Sequence, residues 1–168
     1  PTAVFYGTAL LYIFISKYKF GILKKFDFYL YFILAALPFI LWRLYIDKFP
    51  EGIPSSDWLI TSVNTFEGQK VIFMRPAFFR WIFYERINLM IFGGYMTAFF
   101  VVGVFVRLKK YFIHTLLLGA LAYLFVFQGG NVQHEYYQTV IFPPLAMFAG
   151  IGIALFLSHL AKFNKPIG

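Results

Sequence analysis

Apolar residues come in five long runs along this chain, and the charged residues fall almost wholly between them. The runs are Thr2 to Ile15, Phe26 to Ile46, Ile87 to Val106, Phe112 to Phe127, and a last one from near Tyr136 to near Leu160. A bilayer-spanning helix needs about 20 predominantly apolar residues, so the pattern predicts an all-α, polytopic membrane bundle of about five spans. In the second run Arg43 lies close enough to the end to snorkel to the interface, and Pro38 marks a kink. The third run carries Gly93, Gly94 and Gly103, small residues suited to close helix contact. In the last run Pro143-Pro144 falls about two turns in, where it loosens the helix start and frees backbone carbonyls.

The connections between runs give an orientation. Lys17, Lys19, Lys24 and Lys25 follow the first run, Arg107, Lys109 and Lys110 follow the third, and Lys162 and Lys165 close the chain. Loops rich in Lys and Arg stay in the cytoplasm. The opposite side receives the segment from Asp47 to Arg86, with as many acids as bases, and the link Gln128 to Glu135, which has no Lys or Arg. Within the long outer segment, Phe49 to Pro54 has turn chemistry, Ser55-Ser56-Asp57 can cap a short helix through Trp58 to Ile60, and Asn64 to Gln69 breaks again. From Pro76 to Arg86 a proline start, aromatic residues and flanking charges predict an interfacial helix leading into the third span. The extracytoplasmic loop thus carries short interfacial helices, and residues 1–168 form one transmembrane domain.

Composition sharpens this picture. Hydrophobic residues make up 61% and charged residues 13% of the 168 positions, with a mean hydropathy of +0.73. An ordinary soluble domain has about half and about a quarter, respectively. The net charge of +8 would invite a nucleic-acid partner in a soluble protein, but the basic residues sit between spans and form no stripe, so nucleic acid is excluded and membrane lipid is the expected surroundings. Cysteine is absent and the three histidines are scattered, which rules out thiolate chemistry and argues against a histidine metal cluster; no cofactor is expected, and a divalent metal requirement stays open. The first apolar run begins straight after Pro1 without a basic leader or cleavage site, so it is not a signal peptide and the chain is expected to be an internal piece of a longer protein. Glycine-rich phosphate loops, zinc-protease spacing, serine-hydrolase elbows and acids deep within spans are all missing.

Two polar clusters remain as candidate chemistry, both at the outer face. The first is Arg75, Arg80, Glu85 and Arg86. On an α-helix, neighbours are three and four apart, which pairs Arg80 with Tyr84 and Glu85 with Trp81 and leaves the Arg80 guanidinium free for a phosphate. Interfacial anchoring at headgroup level is the plainer role for the same residues. The second cluster runs from Asn131 to Gln138, at the mouth of the fifth run. There His134 and Glu135 suit proton transfer, and Tyr136 and Tyr137 suit a sugar or phosphate; a polar loop with aromatic belt residues is the alternative. His114 and His159 are expected to be interfacial side chains.

Three segments then stand in a telling order: Phe49-Pro50-Glu51-Gly52-Ile53-Pro54-Ser55-Ser56-Asp57-Trp58-Leu59, Arg75-Pro76-Ala77-Phe78-Phe79-Arg80-Trp81-Ile82-Phe83, and His134-Glu135-Tyr136-Tyr137 followed by Pro143-Pro144. In these the chain resembles the bacterial membrane glycosyltransferases of family 39, of the GT-C class, related to the dolichyl-phosphate-mannose protein mannosyltransferases. The resemblance implies an enzyme of the bacterial inner membrane. It would transfer a sugar from a polyprenyl-phosphate donor to an acceptor glycan, lipid or protein at the outer face. It also implies that the catalytic carboxylate sits in a first outer loop near the N-terminus of such proteins, so a fragment without that loop is inactive alone. Arg75, Arg80, His134, Glu135, Tyr136 and Tyr137 are the expected substrate-binding residues, with His134, Tyr137 and at least one of Arg75 and Arg80 facing the carrier phosphate in one shared cavity. A non-enzymatic membrane protein, such as a transporter subunit, is the competing expectation.

Overall fold

The computed structural model describes residues 2–49 and 72–163. The expected turn after Phe49, the capped helix around Trp58, the break at Asn64 to Gln69, the acids Glu51, Asp57 and Glu67, and Lys165 lie outside the described residues. Among the described residues every regular element is helical. The helices are α1 (Thr2–Tyr18), α2 (Phe26–Ile46), α3 (Pro76–Ile91), α4 (Met96–Phe105), α5 (Phe112–Val126), α6 (Gln128–Gln133) and α7 (Phe142–Phe163). Short 3₁₀ turns join α1 to α2 at Lys19–Lys24 and lead into α7 at Glu135–Ile141.

Helices dominate because these apolar segments offer their backbone groups no partners other than their own. Two stretches, Phe26–Ile46 and Glu135–Lys162, are long and apolar enough to cross a membrane, which makes this a membrane protein by length and composition. A third crossing is reached if α3 and α4 are counted as one broken span, while α5 is a shorter apolar helix.

The third run departs from expectation. It was to be one span from Ile87 to Val106, but the chain bends by 111° between α3 and α4. Gly93 and Gly94 sit at the break with φ of 57° and 79°, a left-handed conformation that side chains with a Cβ disfavour. Asn88 fixes the corner, its backbone carbonyl accepting from the Gly94 amide at 2.7 Å and its side chain accepting from Thr97 Oγ1 at 2.6 Å. These two glycines therefore turn the chain rather than pack it. The helix expected over Pro76 to Arg86 is present, with Pro76 in its first turn where no intrahelical amide is lost, but it runs on to Ile91.

Two helix pairs carry the packing. α1 and α5 run antiparallel: the Phe5 carbonyl lies against Gly119, Thr8 Oγ1 donates to the Thr115 carbonyl at 2.7 Å, and the Tyr111 amide donates to Tyr12 Oη at 3.0 Å. α4 and α7 touch through Gly103 and Gly152, each facing the other helix's backbone, at the carbonyls of Phe148 and Phe99. Between the pairs lies one apolar core of Phe78, Ile82 and Ile87 from α3, Leu124 from α5 and Leu145 and Ala149 from α7, with Phe92 and Ile141 beside them. α2 stands apart, nearly every residue exposed, touching α1 through the Phe14 ring, 5.4 Å from that of Phe28 and 6.0 Å from that of Tyr31.

The link expected as an outer loop, Gln128 to Glu135, is likewise more structured than its polarity suggested. Gln128 to Asn131 are buried as the first turn of α6. For Asn131 burial is tolerable because its amide nitrogen and its backbone carbonyl are both bonded inward. Asn131 Nδ2 donates to the Phe127 carbonyl at 3.0 Å, and Gln138 Nε2 donates to the Asn131 carbonyl at 2.6 Å.

Candidate functional site

The proline pair places the site. α7 begins at Phe142, so Pro143 and Pro144 occupy its first turn, where missing amides cost nothing. Pro144 has no N–H for the Val140 carbonyl four residues back, and that freed acceptor is taken by the Tyr6 hydroxyl of α1. The 3₁₀ segment Glu135–Ile141 is thereby tied to α1, and its polar residues are presented beside α3.

Arg86 on α3 and Glu135 at the start of that segment form an ion pair, with the Arg86 side chain 19% and the Glu135 side chain 60% exposed. The two polar clusters, nearly fifty residues apart in sequence, meet here. Below the pair is a cavity of about 510 Å³. Arg86, Glu135 and Gln138 line it where α3 meets the 3₁₀ segment, and Met90, Phe92, Phe142, Leu145 and Ile153 continue it along α3 and α7 as an apolar wall. The cavity is thus graded, polar at the 3₁₀ segment and apolar further along α7, the shape of an amphiphile.

Gln138 adds a directional feature. It is 2% exposed, and its nitrogen faces two acceptors, the Asn131 carbonyl at 2.6 Å and Asn131 Oδ1 at 3.4 Å, which fixes the orientation of its amide. Its Oε1 is left buried without a hydrogen-bond partner among the described residues. A buried acceptor without a partner costs free energy, and a ligand hydroxyl would relieve it.

Of the sequence-predicted residues, Glu135 alone lines this cavity; Arg75, Arg80, His134, Tyr136 and Tyr137 do not. His134, Tyr136 and Tyr137 form one aromatic knot beside it, with His134 stacked on Tyr136 at 5.3 Å, edge-on to Tyr137 at 5.4 Å, and the two tyrosine rings 4.7 Å apart. Arg75 is the exposed, extended residue before α3. Arg80 is not free: its Nε donates to Glu85 Oε1 at 3.0 Å. The expectation that Glu85 leaves Arg80 alone assumed 3.6 residues per turn. From Arg80 to Ile91 the helix is wound in the wider π form, whose hydrogen bonds join residues five apart, and that brings residue 85 beneath residue 80. Both side chains are well exposed, at 73% and 41%, so the pair is weak and easily exchanged.

Arg86 and Gln138 are the cavity residues that sequence reasoning passed over, although each belonged to one of the polar clusters. The signal that would have found Gln138 is its i−7 relation to Asn131 across the Pro-Pro approach; for Arg86 there was none short of the fold. His114 also sits elsewhere than expected. It is partly buried between helices, its Nε2 3.1 Å from the Val104 carbonyl and its ring edge-on to Phe148 at 4.9 Å, while His159 is exposed. In comparison with known proteins, no family model matches the sequence, and no curated protein or solved structure matches it.

Proposed function

We propose that this chain is part of a membrane glycosyltransferase that takes a sugar from a polyprenyl-phosphate carrier at the outer membrane face, within a bundle in which α1 and α5 are shorter crossings that bring the spans to five. The observation that carries the reading is the graded cavity where Arg86, Glu135 and Gln138 meet above an apolar wall. A lipid-linked sugar has the same grading: hydroxyls, then phosphate, then hydrocarbon. Glu135 pairs with Arg86 and offsets its charge. A phosphate, with more charge and a geometry suited to two parallel guanidinium bonds, competes for Arg86, and the Gln138 Oε1 accepts a sugar hydroxyl. His134 and Tyr137, adjoining Glu135, supply further donors to the phosphate oxygens.

In the reaction, an acceptor hydroxyl attacks the anomeric carbon, the bond from that carbon to the phosphate oxygen breaks, and polyprenyl phosphate leaves with the bonding pair. The hydroxyl proton passes to a carboxylate that the family resemblance assigns to another outer loop. The work of Arg86 is to stabilise charge developing on the phosphate as it leaves, and losing one such donor costs roughly 3 to 4 kcal/mol of barrier, or about two to three orders of magnitude in rate. In membranes containing the full-length protein and a radiolabelled polyprenyl-phosphate sugar, Arg86→Ala and His134→Ala should lose transfer by that factor while the proteins insert normally. Wild-type transfer in both variants overturns the reading; label that crosses the membrane without joining an acceptor favours a carrier.

A further inference from the structure

The opposite end of the α1–α5 pair holds a second, unrelated feature. The contact between Tyr12 and Tyr111 brings the basic connection after α1 beside the basic connection before α5. Between them is a groove of about 640 Å³ lined by Tyr12, Ile13, Ser16, Lys17, Lys110 and Phe112. Two ammonium groups from different elements thus border a surface otherwise made of apolar and hydroxyl side chains.

Like charges from two elements side by side repel unless an anion lies between them, and here acids are scarce. No acid lines the groove, and Asp27, at the start of α2, receives the Tyr18 hydroxyl at 3.3 Å. The Tyr18 ring in turn lies 4.8 Å from Lys17 Nζ and 5.4 Å from Lys25 Nζ, holding two cations near the groove on a π face rather than on a carboxylate. Lys19, Lys24, Arg107 and Lys109 add to the same field.

We propose that this groove is a binding site for an anionic phospholipid of the surrounding leaflet, its phosphate held between Lys17 and Lys110 and an acyl chain lying over Ile13 and Phe112. Charge complementarity selects this occupant: the site offers cations at headgroup level and apolar wall beside them, and basic pockets between membrane helices on the cytoplasmic side hold acidic headgroups. A water-soluble anion would leave the apolar wall uncovered, and a zwitterionic lipid would bring its own cation to the lysines. The site is independent of the transfer cavity, which lies at the other end of α5.

The test is lipid retention on the full chain purified in a neutral detergent, measured by native mass spectrometry after mixing with phosphatidylglycerol or phosphatidylcholine. Phosphatidylglycerol should be retained selectively, and Lys17→Gln and Lys110→Gln should each weaken retention about fivefold, and the double variant more. Lys17→Arg with Lys110→Arg should keep it, as should Lys48→Gln, an exposed lysine beyond the far end of α2. Far-ultraviolet dichroism checks that each variant stays helical. Equal retention of the two lipids, a double Gln variant that binds as wild type, or displacement of the lipid by millimolar inorganic phosphate would each overturn the proposal.

Discussion

Arg80 shows how far a single residue's role depends on helical pitch. Its partner is chosen not by charge, since Glu85 was always near in sequence, but by a winding that turns residues five apart toward each other. The pair is exposed, and exposed pairs contribute about 0–1 kcal/mol, so Glu85→Ala should leave the thermal unfolding midpoint almost unchanged while releasing the Arg80 guanidinium. Gln138 is the contrasting case. It is buried, and its nitrogen satisfies the carbonyl of Asn131, itself 0% exposed. Gln138→Met keeps the length but strands that acceptor, which should cost about 1–3 kcal/mol and lower the unfolding midpoint measurably in detergent. If Gln138→Met unfolds at the wild-type temperature, the inward hydrogen bond is not a structural tie. The chain's polar clusters were legible as candidates because polar groups at a membrane helix mouth are costly. Which member faced the cavity was not, because no periodicity rule applies where α, π and 3₁₀ turns follow one another.

At the level of elements, glycine does two opposite jobs in this protein. Gly103 and Gly152 let the α4 and α7 backbones meet, whereas Gly93 and Gly94 bend the chain through positive φ. Sequence identified Gly103 as a contact residue for the right reason, small residues permitting close approach; it put Gly93 and Gly94 in the same class because an uninterrupted apolar run conceals a corner. Of the helices, α2 was legible, since it occupies the predicted run; the last α-helix begins at Phe142 and not near Tyr136, so Pro143-Pro144 lies in its first turn instead of two turns in, and the helix α6 replaces an expected loop. α7 offers an internal comparison. A methyl at Gly152 would run into the Phe99 carbonyl, while a methyl at Gly150 meets open space. Gly152→Ala should therefore destabilise by about 1–3 kcal/mol through overpacking, and Gly150→Ala should be neutral or stabilise by about 0.5–1 kcal/mol, the helix cost of glycine. Midpoints of thermal unfolding for the two variants, measured side by side, separate backbone contact from a general need for glycine; equal shifts would count against the packing.

For the whole molecule, two contacts decide which parts share a face. Tyr12 against Tyr111 pins the basic connections around Lys17 and Lys110 to one end of the α1–α5 pair. The Tyr6 hydroxyl on the Val140 carbonyl, with the Phe5 ring edge-on to Phe127 at 5.7 Å, pins the start of the α7 approach to the other end. The corner between α3 and α4 does not alter this, because both tethers run through α1. The packing sets the lysine-rich connections and the Arg86–Glu135 cavity at opposite ends of the α1–α5 pair, so if the lysine-rich end is cytoplasmic, as the positive-inside rule predicts, the proposed transfer cavity faces outside. Asn131 is buried and unsuited to a probe, but Gln133, two residues on, is exposed. A cysteine at Gln133 should react with an impermeant maleimide on intact cells, and one at Lys109 only after the membrane is opened. The chain has no native cysteine to confuse the signal. Labelling of Lys109→Cys alone in intact cells would invert the topology, put the cavity on the side where an externally loaded lipid-linked sugar is absent, and remove the physical basis for transfer at the outer face.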